Sequence, residues 1–268
     1  MTVRTARQSA ALLFAAALPA LAAAPLSAQG VEYAPGTTRY RVTTTTSGSQ
    51  TTPAGTSNFD VGVEQKITVN VMRHAKDTVM AMLTLDTIAI KTPGPVPDLS
   101  KLMHANFVSL VSPTGKFFSS KAPDGLDPQL AQIAEGVGKF LPSFRANLAP
   151  GAVWSDTLTG KITQMGLEVD RTSVSNYKVE GDTTIDGQKA FRIIRTATVK
   201  GGGVGSMQGT PVTMELAATS TGNFFITPKG TYLGGYSKDD ALSKITIIAQ
   251  NMEITIKQNG TTKTEPIK

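Results

Sequence analysis

The sequence of 268 residues contains no cysteine, two histidines and one tryptophan. Without cysteine there can be no disulfide, no thiolate metal site, no cysteine nucleophile and no lipid attached at a cysteine. The histidines, His74 and His104, have no partner at the spacing of a zinc motif. We therefore expect no bound metal and no cofactor, and stability must come from a packed core.

Familiar catalytic motifs are also missing. No G-x-S-x-G elbow occurs, and the glycine-rich stretch KGGGVGS lacks the Gly-Lys-Ser/Thr ending of a phosphate-binding loop. The aspartates sit mostly at turns, where Asp bonds its own backbone or caps a helix. Carboxylates from distant strands that converge into a site stay open as an alternative. The sequence predicts a protein that is not an enzyme, and it identifies no catalytic residue.

The charged residues exclude one class of partner. The formal net charge is +6, and lysines and arginines are spread among carboxylates, with no basic run of the kind that binds nucleic acid. We therefore expect no nucleic-acid partner.

The first residues have the layout of a secretory signal peptide. Arg4 and Arg7 precede an apolar run over residues 10–24, and small residues follow it. Cleavage is predicted after Ala28, with a cut after Ala24 as the alternative. The run is too short for a comfortable membrane span, which needs roughly 20 residues. The sequence thus predicts a periplasmic or secreted protein with no stable membrane span, formed by residues 29–268 as a single β-rich domain.

Alternation of apolar and polar residues dominates the remaining sequence. Residues 59–71 alternate almost without a break, which predicts a strand about 44 Å long at ~3.4 Å per residue. Residues 78–92 are predicted to form its antiparallel partner, with apolar side chains on both faces. Residues 190–199 and 211–226 alternate in the same way. In residues 244–257 the apolar positions change parity, which predicts a bulge or strand break near residues 248–251 that bends one long strand.

One segment has a clear helical pattern. In residues 127–141, Asp127 can cap the helix, Pro128 suits its first turn, and apolar residues recur at helical spacing up to Pro142. Weaker helices are predicted at residues 97–107 and 237–244, the latter with a turn as the alternative. The polar stretches 43–58 and 200–210 are predicted as flexible loops. The fold class is therefore mainly β, with one long, strongly curved antiparallel sheet (an incomplete barrel), one main helix packed on it and one or two short helices.

A curved sheet covered by one helix often leaves an apolar cavity. Methionine adapts to such spaces because its thioether chain is flexible, although core filling is the favoured explanation of the methionines. Trp154 is predicted to be a core residue at the end of the helix, with a ligand contact as the alternative. The candidate ligand-binding residues are Met80, Met82, Leu130, Ile133, Val137, Phe140 and Trp154.

A resemblance enters at FLPSFRANLAPGAVWSDTL, where a Leu-Pro helix end is followed by Gly151 and Trp154 opening a strand. With SLVSPTGKFFSS before it and YKVEGDTTIDGQKAFRI after it, this stretch resembles a group of exported bacterial proteins of unknown function. Those proteins are similar in architecture to lipoprotein carriers, which have a curved antiparallel sheet with helices on its concave side. The lipidated cysteine of the lipoprotein members is absent here, and the resemblance implies no catalytic residue.

Four functions are compatible with these features, and two of them are favoured. The first is an exported soluble protein that binds a hydrophobic or lipid-like ligand between sheet and helix. The alternative is a structural or interaction module of the cell envelope that docks a partner protein through a sheet edge or loops. An outer-membrane barrel and a hydrolase rank below both, the barrel because the chain has few aromatics for girdles.

Overall fold

The computed structural model describes residues 30–126, 128–164, 167–207 and 209–268. The predicted signal peptide and its cleavage site lie outside the described residues, as does Asp127 at the predicted start of the helix.

Strands account for most of the described chain. They form one antiparallel sheet in the order β5-β4-β3-β2-β1-β11-β10-β9-β8-β7-β6, so β5 and β6 are its two edges and the sheet is not closed into a barrel. The predicted mainly β fold class is confirmed. The strands are β1 Gly36–Thr52, β2 Gly55–Ala75, β3 Thr78–Lys91, β4 Asn106–Val111, β5 Phe117–Lys121, β6 Val153–Gln164, β7 Leu167–Ile185, β8 Gln188–Met207, β9 Thr210–Ile226, β10 Tyr232–Ile247 and β11 Met252–Ile267.

Two of the predicted helices are wrong. Helix α1 covers Pro128–Gly138 and confirms the main one, although it ends before Leu141. The segment 97–107 forms only a hydrogen-bonded turn, which ends at His104 with a φ of 58°. The segment 237–244 lies inside β10, and its side chains alternate between the two faces of the sheet as those of a strand do. In the described part of the chain, no helix is long and apolar enough to cross a membrane.

The change of parity near residue 248 has a different cause from the one expected. A three-residue 3-10 turn, Ile248–Gln250, confirms the predicted break, and Asn251 follows it with a φ of 45°. The chain does not continue as one bent strand there. It reverses, so that β10 and β11 pair as an antiparallel hairpin from Ile247 opposite Met252 onward.

The two segments predicted as flexible loops are strands. Residues 43–58 belong to β1 and β2, and residues 200–207 belong to β8. Glycine in these strands allows close contacts: a Cβ on Gly48 would lie 2.5 Å from the Phe59 ring, and one on Gly203 would lie 2.2 Å from the Glu168 carbonyl oxygen. The glycines therefore belong to strand packing and not to loops.

The inner face of the sheet is defined here as the face that packs against α1. On β3 this face carries Val79, Ala81, Leu83 and Leu85, all buried. Between the pairs Lys66–Thr87 and Ile67–Leu85 the register shifts, so Asp86 is an extra residue in β3. Because a bulge reverses the alternation of side chains, Ile88 and Ile90 return to the inner face. This bulge explains the change of parity at Ile88 and Ile90, whereas Met80 and Met82 lie on the outer face.

Two apolar clusters lie on the inner face. The larger cluster joins α1 and the segment that follows it to most of the strands of the sheet, with Leu102, Leu130, Phe107 and Leu148 almost completely buried. The smaller cluster lies near the hairpin ends of β7, β9 and β10 and consists of Leu167, Val169, Val212, Met214 and Ile245. Between them the inner face is more open, and this middle part holds the candidate site.

Candidate ligand-binding site

The segment that follows α1, residues 139–152, is held over the inner face by its contacts with an early part of the chain. The hydroxyl of Tyr33 donates a hydrogen bond of 2.7 Å to the carbonyl oxygen of Pro142. The Tyr33 ring also meets the Phe144 ring edge-on at 5.0 Å, and the Phe144 amide donates to the carbonyl oxygen of Thr114 at 2.8 Å. These contacts fix the segment as one wall of the space beneath it.

Three aromatic rings anchor the start of this segment. Phe140 packs against Tyr40 at 5.0 Å and against Tyr232 at 5.8 Å, and the two tyrosine rings are 5.5 Å apart. The Tyr40 hydroxyl donates to the carbonyl oxygen of Tyr232 at 2.9 Å. Burial raises the pKa of Tyr232 to about 12, and it raises the pKa values of Tyr40 and Tyr33 above their ordinary range as well. The rings therefore remain neutral at physiological pH.

Three adjoining cavities lie on the inner face, and together they are called the trough below. The first, of about 390 Å³, lies against Phe140 and Pro142 and extends over β8, β9 and β10. The second, of about 330 Å³, lies over β6 to β10 and shares Tyr177, Arg195 and Ser220 with the first. The third, of about 230 Å³, shares Lys139, Leu141 and Ser143 with the first. Shared lining residues make the three cavities neighbours.

The third cavity also shows how strongly the sheet curves. Its lining includes Leu83 of β3, Val111 of β4 and Phe117 of β5, and also Thr157 and Leu158 of β6. Strands β5 and β6 are the opposite edges of the sheet. A single cavity of this size can touch both edges only if the sheet curls around its inner face, so the trough runs through the unclosed side of that curl.

The apolar part of the trough is concentrated in the third cavity. Its walls contain Ala81, Leu83, Val111, Leu141 and Leu158. Leu158 is 56% exposed although it has the same parity on β6 as the buried Trp154, which places it on the inner face. A large exposed apolar side chain inside a concave surface is typical of a ligand-binding pocket.

The polar part of the trough lies over β7 to β11. Arg195, half-buried, donates from Nη2 to Ser175 Oγ at 3.3 Å, and Ser175 itself is buried. Ser220, Ser237 and Thr262 add hydroxyl groups to the wall of the first cavity. The trough thus offers hydrogen-bond donors and two arginines, Arg171 and Arg195, next to an apolar space.

The structure separates the seven residues predicted to bind ligand into four groups, of which Trp154 is the last. Leu130 and Val137 are buried between α1 and the sheet, and Ile133 packs against the same core, so they stabilise the helix and do not line the described cavities. Phe140 lines the first cavity. Met80 and Met82 occupy the outer face, because they alternate with the buried residues of β3, and the structure does not bring them near α1.

Trp154 is a core residue, as predicted. Its side chain is 8% exposed and stacks on Tyr177 with a centroid distance of 4.9 Å and an angle of 8°. The guanidinium carbon of Arg145 lies 6.0 Å from the centroid of the indole ring. Tyr177 in turn lines the first and second cavities. Trp154 therefore packs against a residue that lines the trough.

Several trough residues were missed by the sequence analysis, above all Arg195, Tyr177 and Leu158. Arg195 could have been recognised from the alternation of its strand, because it occupies an inward position between Ile193 and Ala197 in a pattern whose other inward residues are apolar. A charged residue at an inward position is the kind of exception that marks a site.

Metal binding finds no support in the arrangement of ligands. Among the residues that the structure describes, no group of three or more His, Asp or Glu side chains converges as a metal site would require.

Comparisons with known proteins add little. No protein-family model matches the chain, and no curated protein matches it. One solved structure, from Vibrio parahaemolyticus and described as an outer membrane lipoprotein-sorting protein domain, aligns over 81% of this chain and 83% of its own length, with 11% identity and a TM-score of 0.17. A TM-score this low carries no argument about fold or ligand, so any statement about what this chain binds has to come from its own trough.

Proposed function

We propose that the protein is an exported binding protein that holds an apolar or lipid-like ligand in the trough. The observation that carries this proposal is the group of three adjoining cavities on the inner face, with the exposed Leu158 in the lining of the second and the third. The first and second cavities, of about 390 and 330 Å³, lie at the lower end of the range for small-molecule sites, which is about 300–1,000 Å³, and the third, of about 230 Å³, adjoins them. The export part of the proposal rests on the signal-peptide pattern of residues 1–28.

The choice of small residues supports a site and not an unfinished core. In the middle of β8 and β9 the inner face carries Ala197, Ala218 and Ser220, while the clusters at the two ends carry large apolar side chains. If the middle were meant to be filled, large side chains there would bury more apolar surface, at roughly 25 cal/mol per Å². The small residues keep the trough open, which supports binding.

The experiment fills the trough from its floor. Ala218→Phe places a ring in the second cavity, whereas Ala217→Phe places the same ring on the outer face of the same strand, one residue away. The probe is N-phenyl-1-naphthylamine, a neutral apolar dye. We expect the wild-type protein and Ala217→Phe to bind the dye with equal affinity and Ala218→Phe to bind at least tenfold more weakly.

The result has a clear counter-outcome. Circular dichroism first establishes that both variants are folded. If the wild-type protein binds no dye, or if both variants bind it as the wild type does, then the trough is not a binding site and the proposal is wrong. Native mass spectrometry of the purified protein adds a second measurement, because a co-purified apolar molecule should be lost from Ala218→Phe and retained by Ala217→Phe.

The alternative function, an envelope interaction module, has a surface in the described structure. Strand β6 is a sheet edge of twelve residues, and residues 155–161 are all exposed. An unpaired edge of this length can accept another strand. No feature of the described residues identifies what would pair with it, so ligand binding is the function we propose.

A further inference from the structure

The arginines of the described chain differ in their partners. Four of them have a carboxylate oxygen within 4.0 Å, and the pairs are Arg39 with Asp86, Arg41 with Glu64, Arg73 with Glu32, and Arg192 with Glu180. Arg145 lies over the Trp154 ring. Arg171 and Arg195 have no carboxylate within that distance among the described residues, and both line the trough.

Arg195 occupies the central position of the two. It lines both the first and the second cavity, with Ser220 beside it in the same two linings. Its one hydrogen-bond acceptor among the described residues is the neutral hydroxyl oxygen of Ser175, at 3.3 Å. A guanidinium has five N–H donors in a planar fork, so most of its capacity is available to a ligand.

The charges around the first cavity favour an anion. Its lining contains Lys139 and Arg195 and neither aspartate nor glutamate, and Lys139 has its ion pair with Glu135 on α1. Two carboxylates, those of Asp156 and Asp239, line the second cavity instead. The side chains of Ser220 and Thr262 add hydroxyl groups to the first cavity, whereas the Ser237 hydroxyl donates to Asp239 Oδ2 at 3.2 Å. A carboxylate or phosphate group placed there meets Arg195 and these hydroxyl groups, and no carboxylate of the described residues belongs to the lining.

An apolar space adjoins this polar one. Leu141 belongs to the lining of both the first and the third cavity, and beyond it Leu83, Val111 and Leu158 line the third. A molecule with an anionic group at Arg195 and a hydrocarbon chain passing over Leu141 would match both parts of the trough.

We propose that Arg195 binds the anionic headgroup, a carboxylate or a phosphate monoester, of an amphiphilic ligand whose chain occupies the third cavity. The proposal rests on the proposed function and adds the class of headgroup. Charge-assisted bonds from arginine to carboxylate or phosphate are shorter and about twice as strong as neutral hydrogen bonds, which gives the site a preference that an apolar pocket alone lacks.

The test compares ligands that share one chain and differ only in the head. Dodecanoate, dodecyl phosphate, dodecanol and dodecylamine are titrated below their aggregation concentrations, with Trp154 fluorescence and calorimetry as the measurements. We expect the two anions to bind at least tenfold more tightly than the alcohol, and the amine to bind most weakly. The ratio between dodecanoate and dodecyl phosphate distinguishes a fatty acid from a phosphate-bearing lipid as the better fit, and inorganic phosphate alone tests whether the head binds without its chain.

Variants then assign the preference to one side chain. Arg195→Gln should weaken dodecanoate at least tenfold and leave dodecanol unchanged, whereas Lys200→Gln, which removes the same charge from the outer face of β8, should change neither. Arg195→Lys should bind dodecanoate more tightly than Arg195→Gln but more weakly than the wild type, because the lysine ammonium restores the charge without the planar donor geometry of the guanidinium.

The outcomes separate this inference from the proposed function. If all four ligands bind equally, or if Arg195→Gln weakens the alcohol as much as the acid, the headgroup assignment is overturned while ligand binding stands. If neither these ligands nor N-phenyl-1-naphthylamine binds, both proposals are wrong.

Discussion

The hydroxyl of Tyr33 binds the segment that forms the trough wall, so its removal tests how that wall is held. Tyr33→Phe keeps the ring and its edge-on contact with Phe144 but removes the 2.7 Å hydrogen bond to the carbonyl oxygen of Pro142. A partly buried carbonyl that loses its donor costs about 1–3 kcal/mol. We therefore expect the free energy of unfolding to fall by about 1–2 kcal/mol at pH 8.

The same substitution should have a smaller effect at alkaline pH. Burial raises the pKa of Tyr33 above its ordinary value of 10.0, so above pH 10 the unfolded chain has lost the proton while the folded protein retains it. The unfolded state then binds fewer protons, and stability falls as pH rises, by up to about 1.4 kcal/mol per pH unit for each such tyrosine. Phenylalanine has no proton to lose. The difference between wild type and variant should therefore shrink by about 1 kcal/mol between pH 10 and pH 11.

The assay is urea unfolding followed by Trp154 fluorescence and circular dichroism at pH values from 8 to 11. Tyr236→Phe serves as the control, because Tyr236 is 46% exposed and its substitution should change stability by less than about 0.5 kcal/mol. A Tyr33→Phe protein as stable as the wild type at pH 8 would refute the role of the bond. A difference that stays constant up to pH 11 would refute the argument from the raised pKa.

Two further predictions concern the backbone. A methyl group on Gly230 would lie 1.6 Å from the Glu32 carbonyl oxygen, and the φ of Gly230 is +84°. Gly230→Ala should therefore lower the free energy of unfolding by more than about 3 kcal/mol in the same urea titration. Gly136 lies in the exposed part of α1 with nothing within 4 Å of an added methyl group, so Gly136→Ala should raise the free energy of unfolding by about 0.5–1 kcal/mol. Deletion of Asp86 should remove the extra residue of β3, so that Leu85 and Thr87 become neighbours opposite Ile67 and Lys66 while Ile88 and Ile90 keep facing inward. The deletion and Asp86→Ala both lose the contacts of the carboxylate with Thr68 and Arg39, so each should cost about 1 kcal/mol; a loss larger by about 2 kcal/mol in the deletion protein would show that the inward register is not kept.

The long strands were predictable because their alternation is strong. Residues 59–71 lie within β2, and the turn between them and β3 stands where the sequence indicates it. The helix was predictable for the same reason, since Leu130, Ala134 and Val137 recur at helical spacing and are buried on one face. In these elements the apolar residues of the repeating pattern are the residues that are buried, so the local sequence is enough to predict the element.

The errors have a common physical origin. Residues 43–58 and 200–207 are polar or glycine-rich, which is typical of loops, yet they form strands with only a short turn at residues 53–54, and Gly48 and Gly203 lie close to a neighbouring ring or backbone. Where no element covers the inner face, the inward positions of a strand need not be apolar. The alternation of apolar and polar residues that indicates a strand is then lost from the sequence. Met80 and Met82 show the opposite error: their apolar character indicates a core, but parity relative to Leu83 places them on the outer face. Only pairing with neighbouring strands decides such cases.

The trough exists because α1 is much shorter than the strands of the sheet, a difference that the sequence patterns do not show directly. A helix of 11 residues is about 16 Å long, whereas a strand of 21 residues such as β2 extends for about 70 Å. Whatever its direction, α1 covers only a fraction of the inner face, and residues 139–152 extend that cover across one end. The far end is closed by its own cluster around Met214. The middle has no element to cover it, so the sequence must either expose large apolar side chains there or use small and polar ones. Ala218, Ser220 and Arg195 show that it does the second, and Leu158 is the exception that a bound apolar chain would cover.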